Sequence, residues 1–290
     1  MHQPVLLREV LGYLDLAPGK TIVDCTVGLG GHAKAILERI VPGGTLVGID
    51  RDGETLANAR ENLKEFKDNI FLAQGNFKNI KDVIKEFDVG EIDGYLFDLG
   101  ISSFQLEESK RGFSLKHNGP LDMRMDRTLD VSAGYLVNTL REVEIARILK
   151  SYGEERFSGR IARAIVRNRP LETTAQLAET VSAVVPAYYR HGRIHPATRT
   201  FQAIRIAVNG ELEALDDALD KIPELLNKGT RVCVISFHSL EDRIVKNRFK
   251  DYKQRGVLEI ITKKPIRPTP EEVASNPRSR SAKLRVAERI

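Results

Sequence analysis

The stretch Asp24-Cys25-Thr26-Val27-Gly28-Leu29-Gly30-Gly31-His32 closes one apolar run of the chain, and Ile49-Asp50 closes the next. A glycine-rich turn after a strand, with an acid at the following strand's tip about 20 residues on, is the layout of a nucleoside-cofactor site. The glycines let backbone approach a ligand closely, and Asp50 is placed to accept hydrogen bonds from two ribose hydroxyls.

Outward from this turn, the first third of the chain alternates strands and helices. Thr21 to Cys25, Thr45 to Asp50, Ile70 to Leu72 and Gly94 to Asp98 are predicted strands. Between them, Ala33, Ile36, Leu37 and Ile40, then Leu56, Ala59 and Leu63, repeat at helical spacing. The pattern predicts an α/β protein with a Rossmann-like, mostly parallel sheet. Such sheets bind ligands at the carboxyl ends of their strands, where Gly28 to Gly31, Asp50, Asn76-Phe77 and Asp98 converge.

From Phe104 to Arg205 the strand signal disappears and the chain turns helical and charge-rich. This predicts a helical domain over 105–205 inserted into a core made of 1–104 and 206–290. Thr139 with Glu142 has capping-box spacing, as does Ser239 with Asp242, and each predicts a helix start. A long helical pattern covers Val208 to Leu226 and leads into the strand Val232 to Ser236. Val257 to Ile261 and Lys283 to Val286 complete the predicted sheet, the last as an edge strand, and Lys263 to Ser281 reads as a proline-rich loop.

The chain has 290 residues, 41% of them hydrophobic, which is enough for a substantial core. No apolar run reaches membrane-spanning length and Val5-Leu6-Leu7 is broken by Arg8-Glu9, so the sequence predicts a cytoplasmic protein with neither signal peptide nor membrane helix. Cys25 and Cys233 lie far apart in apolar segments and read as reduced thiols. A net charge of +5 suits a polyanionic partner. His191 and His195 are four apart, but Gly192 and Pro196 break any helix there and no Cys/His cluster accompanies them, so no metal site is expected.

Gly28-Leu29-Gly30-Gly31 lacks the G-x-G-x-x-G spacing of dinucleotide folds, which weakens a pyrophosphate cofactor such as NAD. S-Adenosylmethionine has no phosphate and needs only close backbone approach and carboxylate partners. Asp24 then orients the turn or the amino-acid end, Asp50 the ribose, and Phe77 offers an aromatic face to adenine. Asp98-Leu99-Gly100-Ile101-Ser102-Ser103 leaves the fourth strand where the reacting end of such a cofactor lies. Asp98 is the candidate for holding an exocyclic amine with its lone pair aimed at the methyl group, while Ser102-Ser103 equally suits a helix cap. Arg156, Arg160, Arg163 and Arg167 fall at i, i+4, i+7 and i+11 with no acid between Arg156 and Arg169, a stripe suited to an RNA backbone. Arg278, Arg280, Lys283, Arg285 and Arg289 form a second basic cluster, equally compatible with a protected edge strand. His238 either reaches the cleft or bonds locally.

Long motifs also carry a resemblance. His2-Gln3-Pro4-Val5-Leu6-Leu7, Gly30-Gly31-His32, Asp98 to Ser103, Arg111-Gly112-Phe113-Ser114 and Gly119 to Met125 are similar to one bacterial family. So are Tyr152 to Arg156, His195 to Gln202, Ile235 to Arg243 and Asn276 to Ser281. The family is the ribosomal small-subunit RNA cytosine-N4 methyltransferases, often called RsmH or MraW. The resemblance implies a class I, Rossmann-like fold with an inserted helical substrate domain. It implies S-adenosylmethionine-dependent methylation of N4 of a cytidine in the decoding region of 16S ribosomal RNA, within the 30S subunit. It assigns cofactor contacts to Gly30, Gly31, His32, Asp50, Phe77, Asp98 and Gln105. The Pro-Pro-aromatic motif of many amino-methyltransferases is missing after Asp98, so the base must stack elsewhere, with Phe104, Phe113 and Phe237 as candidates. Two other functions share the core signature: a methyltransferase of protein or small molecules, and a non-catalytic RNA-binding protein with a nucleoside pocket. The intact set Gly30, Asp50, Phe77 and Asp98 argues against the second.

Overall fold

A computed structural model describes residues 3–192 and 194–290, so His2 of the N-terminal motif lies outside the described residues. Seven strands form one sheet: β1 (Thr21–Asp24), β2 (Thr45–Asp50), β3 (Ile70–Gln74), β4 (Gly94–Asp98), β5 (Arg231–Ser236), β6 (Leu258–Ile260) and β7 (Lys283–Arg289). Their order is β3-β2-β1-β4-β5-β7-β6, with β1 to β5 parallel and β7 antiparallel to both its neighbours. β7 is therefore an interior strand and not the predicted edge; the short β6 takes the edge, and covering β7 needs no charge defence. The strand order reverses between β1 and β4, and a crevice opens at such a switch point.

The chain divides into two compact units, Met1–Gly100 with Leu212–Ile290, and Ile101–Glu211. The breaks lie a few residues outside Phe104 and Arg205 because the last helix of the second unit runs on to Asn209. In the first unit, α1 (Leu7–Tyr13) precedes β1, and α2 (Gly31–Ile40), α3 (Gly53–Asn62) and α4 (Ile80–Lys85) follow β1, β2 and β3. The four residues of β1 are all buried, as expected of a parallel strand covered on both faces. One core cluster holds Val23, Val47, Tyr95 and Phe97; another holds Ile22, Ile36, Leu46 and Leu96, so neighbouring strand residues feed opposite faces.

The second unit contains α5 (Ser103–Glu107), α6 (Ala133–Thr139), α7 (Glu142–Gly153), α8 (Ser158–Arg167), α9 (Thr174–Val184), α10 (Ala187–Arg190) and α11 (Thr198–Asn209). Its own core includes Ile145, Leu149, Ile161, Ile165, Leu177 and Ile204. Thr139 does not start the next helix. It ends α6, its hydroxyl donating to the Tyr135 carbonyl, and the Arg141 N–H instead donates to the Glu144 carboxylate at the head of α7.

The first unit resumes in α12 (Glu211–Lys221), α13 (Ser239–Gln254) and α14 (Pro270–Ser275). The helical pattern from Val208 is two helices, split at Gly210, whose φ of 57° ends α11 in the left-handed conformation. The cap of α13 is His238 paired with Glu241, one residue before the predicted Ser239 and Asp242. Asp242 is instead drawn to Lys283 and Arg285. The supposed loop contains α14: Thr269 caps it, Pro270 takes its first position, and Glu271 and Glu272 occupy its first turn. Glu272 in turn accepts the Leu6 N–H at 2.7 Å, and Asn276 donates to the Gln3 carbonyl, so α14 ties down the N-terminal segment.

Candidate active site

Asp24, Asp50 and Asp98 end the parallel strands β1, β2 and β4 at the switch point. Asp24 is buried, and its carboxylate accepts the Thr26 N–H at 3.1 Å. Burial pushes its pKa up to about 7, the negative charges of Asp98 and Asp50 adding to the rise while His32 and the Thr26 bond oppose it. The two oxygens of half-buried Asp50 accept the N–H groups of Gly28 and Asp52, each at 2.9 Å. Burial raises this carboxyl to about 6, against the pull of those two bonds. Asp98 is anchored through its backbone N–H, which donates to the Thr26 hydroxyl at 2.6 Å.

His32, near the head of α2 and buried, joins Asp98 to the N-terminal segment. Its Nε2 lies 3.0 Å from the Val5 carbonyl, which can only accept, so Nε2 carries the hydrogen. Its Nδ1 lies 3.4 Å from Oδ2 of Asp98. Burial pulls the imidazole pKa down, but the Asp98 hydrogen bond and charge, Asp24 and the Val5 carbonyl together carry it above its ordinary value. A protonated ring can donate at both nitrogens, which is what this setting asks of it. The other carboxylate oxygen of Asp98, Oδ1, is buried and has no hydrogen-bond partner among the described residues. A buried acceptor of this kind calls for a donor from outside the chain.

The glycines of the turn have distinct reasons. Gly28, with φ of 54°, would place a side chain in ordinary contact with the Thr26 carbonyl at 3.7 Å, so its backbone conformation is what favours glycine, and its N–H is held by Asp50. Gly30 has a φ of 87°, which favours glycine, with Leu63 2.8 Å from where a Cβ would stand, and at Gly31 a Cβ would come within 2.7 Å of Pro4. Phe77 follows β3, half-buried, with its ring edge-on to Phe97 at 5.7 Å. At the tip of β5, Glu241 accepts the N–H groups of Phe237 and His238, so His238 works locally as a helix cap. Phe237 is half-buried and stands 3.6 Å from where a Cβ on Gly100 would lie.

In the second unit, Gln105 is buried and its side-chain oxygen accepts the Ser102 N–H at 3.0 Å, while Ser102 caps α5. Phe113 belongs to that unit's core. Of the arginine stripe, Arg160, Arg163 and Arg167 lie on α8 and are exposed, but Arg156 precedes the helix and lies 6.0 Å from the Phe157 ring centre. Arg163 also has an acid that the local sequence conceals, Glu142 on α7 at 3.4 Å.

The model of the MraW methylase family matches residues 1–290. The chain belongs to the MraW methylase family. Among curated relatives, the ribosomal RNA small subunit methyltransferase H of Persephonella marina is 51% identical over 292 residues, spanning 100% of this chain and 99% of its own. The protein of the same description from Thermotoga neapolitana is 50% identical and is covered over 96% of its length. A solved structure from Clostridium thermocellum shares the fold across all of both chains, with a TM-score of 0.51 at 13% identity. This member of the MraW methylase family thus has a class I methyltransferase core, and its cofactor is S-adenosylmethionine. The residues present fit that group. Three carboxylates stand at neighbouring strand ends, burial raises two of them, and a sulfonium and an ammonium would supply positive charge beside them.

The raised Asp24 carboxyl has a measurable consequence. Between about pH 4 and pH 7 the native protein binds more protons at this residue than the unfolded chain, so stability falls as pH rises through that window. Asp24→Asn removes the effect. The variant is expected to gain on the cofactor-free wild type by about 2–4 kcal/mol, or several degrees, between pH 4 and pH 7. Above pH 7 the gain levels off. Melting curves across pH check this, and an offset that does not change with pH refutes it.

Proposed function

We propose that this S-adenosylmethionine-dependent ribosomal RNA methyltransferase acts on N4 of a cytidine in the decoding region of 16S ribosomal RNA, within the 30S subunit. The observation that carries the choice of an amino group is the buried Oδ1 of Asp98, which has no partner among the described residues. An exocyclic amine has a hydrogen to give that oxygen, and in giving it turns its lone pair toward the methyl donor.

When bound, S-adenosylmethionine supplies an electrophilic methyl group. Asp50, with Gly28 beside it, holds the ribose; Phe77 faces the adenine; Asp24 takes the ammonium end. The Asp98 carboxylate then lies beside a nitrogen that becomes positive as it gains the methyl group, and it stabilises that charge. The proton leaves afterwards to water, since the neighbouring imidazole of His32 is already disposed to be protonated. His32 is a positioning residue: it fixes Oδ2 of Asp98 so that Oδ1 remains for the substrate. Phe237, beside Gly100 at the β4 and β5 tips, is the platform for the flipped cytosine, a role that Phe113 cannot take from its core position.

Gly30, Gly31 and Gln105 are assigned to the cofactor through the family, their backbone and side-chain packing being already explained by the fold. The exposed arginines of α8 are assigned to the RNA backbone. On this reading the protein works in the cytoplasm. Among the described residues no helix is long and apolar enough to cross a membrane. The test is incubation with labelled S-adenosylmethionine and undermethylated 30S subunits, followed by nucleoside mapping. Label in N4-methylcytidine of 16S ribosomal RNA is the expected result; label only in protein, or at another atom of the base, refutes the assignment.

A further inference from the structure

A groove on the flank of the first unit, outside the site described above, is lined by Lys246 and Lys250 of α13, Lys263 beyond β6, and Arg285 of β7. Its floor is apolar, formed by buried Phe249 and half-buried Ile260. No acid lines it. Arg285 is already paired with Asp242 at 2.7 Å, but Lys246, Lys250 and Lys263 are exposed and make no ion pair among the described residues. Other cations on and just after α13 are paired: Arg248 with Asp216 and Asp220, Lys253 with Glu259, and Arg255 with Asp251. Three lysines gathered in one concavity, with the nearby acids engaged elsewhere, repel one another unless an anion joins them.

The Lys263 side of the groove lies toward the end of the sheet that carries Asp98, while Lys246 and Lys250 stand further down α13. Both β5 and β6 run antiparallel to β7, so β6 points the same way as β4 and β5, and Lys263 follows its carboxyl end. Three strand spacings separate β4 from β6, which is about 14 Å across the sheet. A phosphate group a few nucleotides from a base held at Asp98 reaches that distance.

We propose that this groove binds the phosphodiester backbone of the RNA substrate and holds a segment flanking the target nucleotide. The proposal rests on the ribosomal RNA reading given above. Its occupant is chosen by charge: the ammonium groups of Lys246, Lys250 and Lys263 meet backbone phosphates as point charges, without reading base sequence. Affinity contributed in this way is salt-dependent, and removing three phosphate contacts lowers the salt slope of binding by about 2.

The experiment uses the full chain, undermethylated 30S subunits and labelled S-adenosylmethionine. The triple variant Lys246→Gln/Lys250→Gln/Lys263→Gln is compared with wild type and with Lys67→Gln/Lys85→Gln/Lys228→Gln, which removes the same charge. Those control lysines are also exposed and precede β3, β4 and β5, at the opposite end of the sheet. In the groove variant KM for 30S is expected to rise about tenfold, with the shallower salt dependence, unchanged kcat at saturation and unchanged calorimetric affinity for S-adenosylmethionine. The control is expected to stay within about twofold of wild type. An equal effect in both variants, or none in the groove variant, overturns the proposal. Failure of the wild type itself to label ribosomal RNA overturns instead the reading on which the proposal stands.

Discussion

Asp98→Ala lowers turnover by about 10²–10³-fold at saturating substrates, with affinity for S-adenosylmethionine changed by no more than about threefold. That is the expected result if the carboxylate acts on the amine. The loss has two sources. Oδ1 is the buried acceptor left for an outside donor, so its removal lets the amine rotate away from the methyl group. The carboxylate is also the negative group nearest the nitrogen as its charge develops. Because Oδ2 holds Nδ1 of buried His32, the alanine variant also strands an imidazole, and some loss of stability is expected. Asp98→Asn separates the two effects. It keeps an acceptor and the side-chain volume but lacks the charge, so it should melt nearer wild type and recover part, not all, of the turnover. Single-turnover kinetics with 30S subunits, calorimetry and melting curves give the three readouts. Turnover of Asp98→Ala within about tenfold of wild type, at unchanged cofactor affinity, refutes the role.

The strands around the crevice were legible because parallel strands buried on both faces are continuous apolar runs, and Thr21 to Asp98 contains four of them at βαβ spacing. The carboxyl tips were legible for the same reason. Where sequence reasoning slipped, a tertiary partner outweighed a local signal. Thr139 and Ser239 have capping spacing, but Thr139 completes α6, and Glu241 is fixed by the N–H groups of the β5 tip. Position of β7 in the sheet could not be read from its alternating charges, since Lys283 and Arg285 answer Asp242 on α13. Signals for α14 were present in Thr269-Pro270-Glu271-Glu272, a cap, a proline and two acids, but proline-rich composition hid them.

The site was legible as a set of residue types and not as a set of contacts. Gly30 and Gly31 read as ligand-facing, and the structure adds Leu63 and Pro4 packed beside them, contacts that no local sequence signal showed. Gln105 stands three residues after Ser102, which is capping-box spacing, and the pair fulfils it. The chain Val5, His32, Asp98 joins three distant stretches of sequence and has no periodic signature at all.

Asp50→Ala is expected to raise the dissociation constant for S-adenosylmethionine by about 10²–10³-fold, since two hydroxyl bonds to a charged group contribute about 3–5 kcal/mol together. In the free protein each carboxylate oxygen takes one backbone N–H, from Gly28 and from Asp52. Its remaining lone pairs are the acceptors that the proposed ribose contact uses. The same group sets a pH dependence. Burial holds the Asp50 carboxyl at about 6, and ribose hydroxyls donate to its deprotonated form. Binding therefore expels a proton below pH 6, and affinity falls as pH drops through that value. Asp24, raised to about 7, contributes a step above it if it meets the cofactor ammonium. Wild type should show both steps, with proton release visible as a buffer-dependent binding enthalpy. Asp50→Ala should keep only the upper step. The effect should fall on KM for the cofactor more than on kcat, because the ribose bonds are the same in ground and transition states. A dissociation constant within about threefold of wild type, or a lower step that persists in the variant, places the ribose elsewhere.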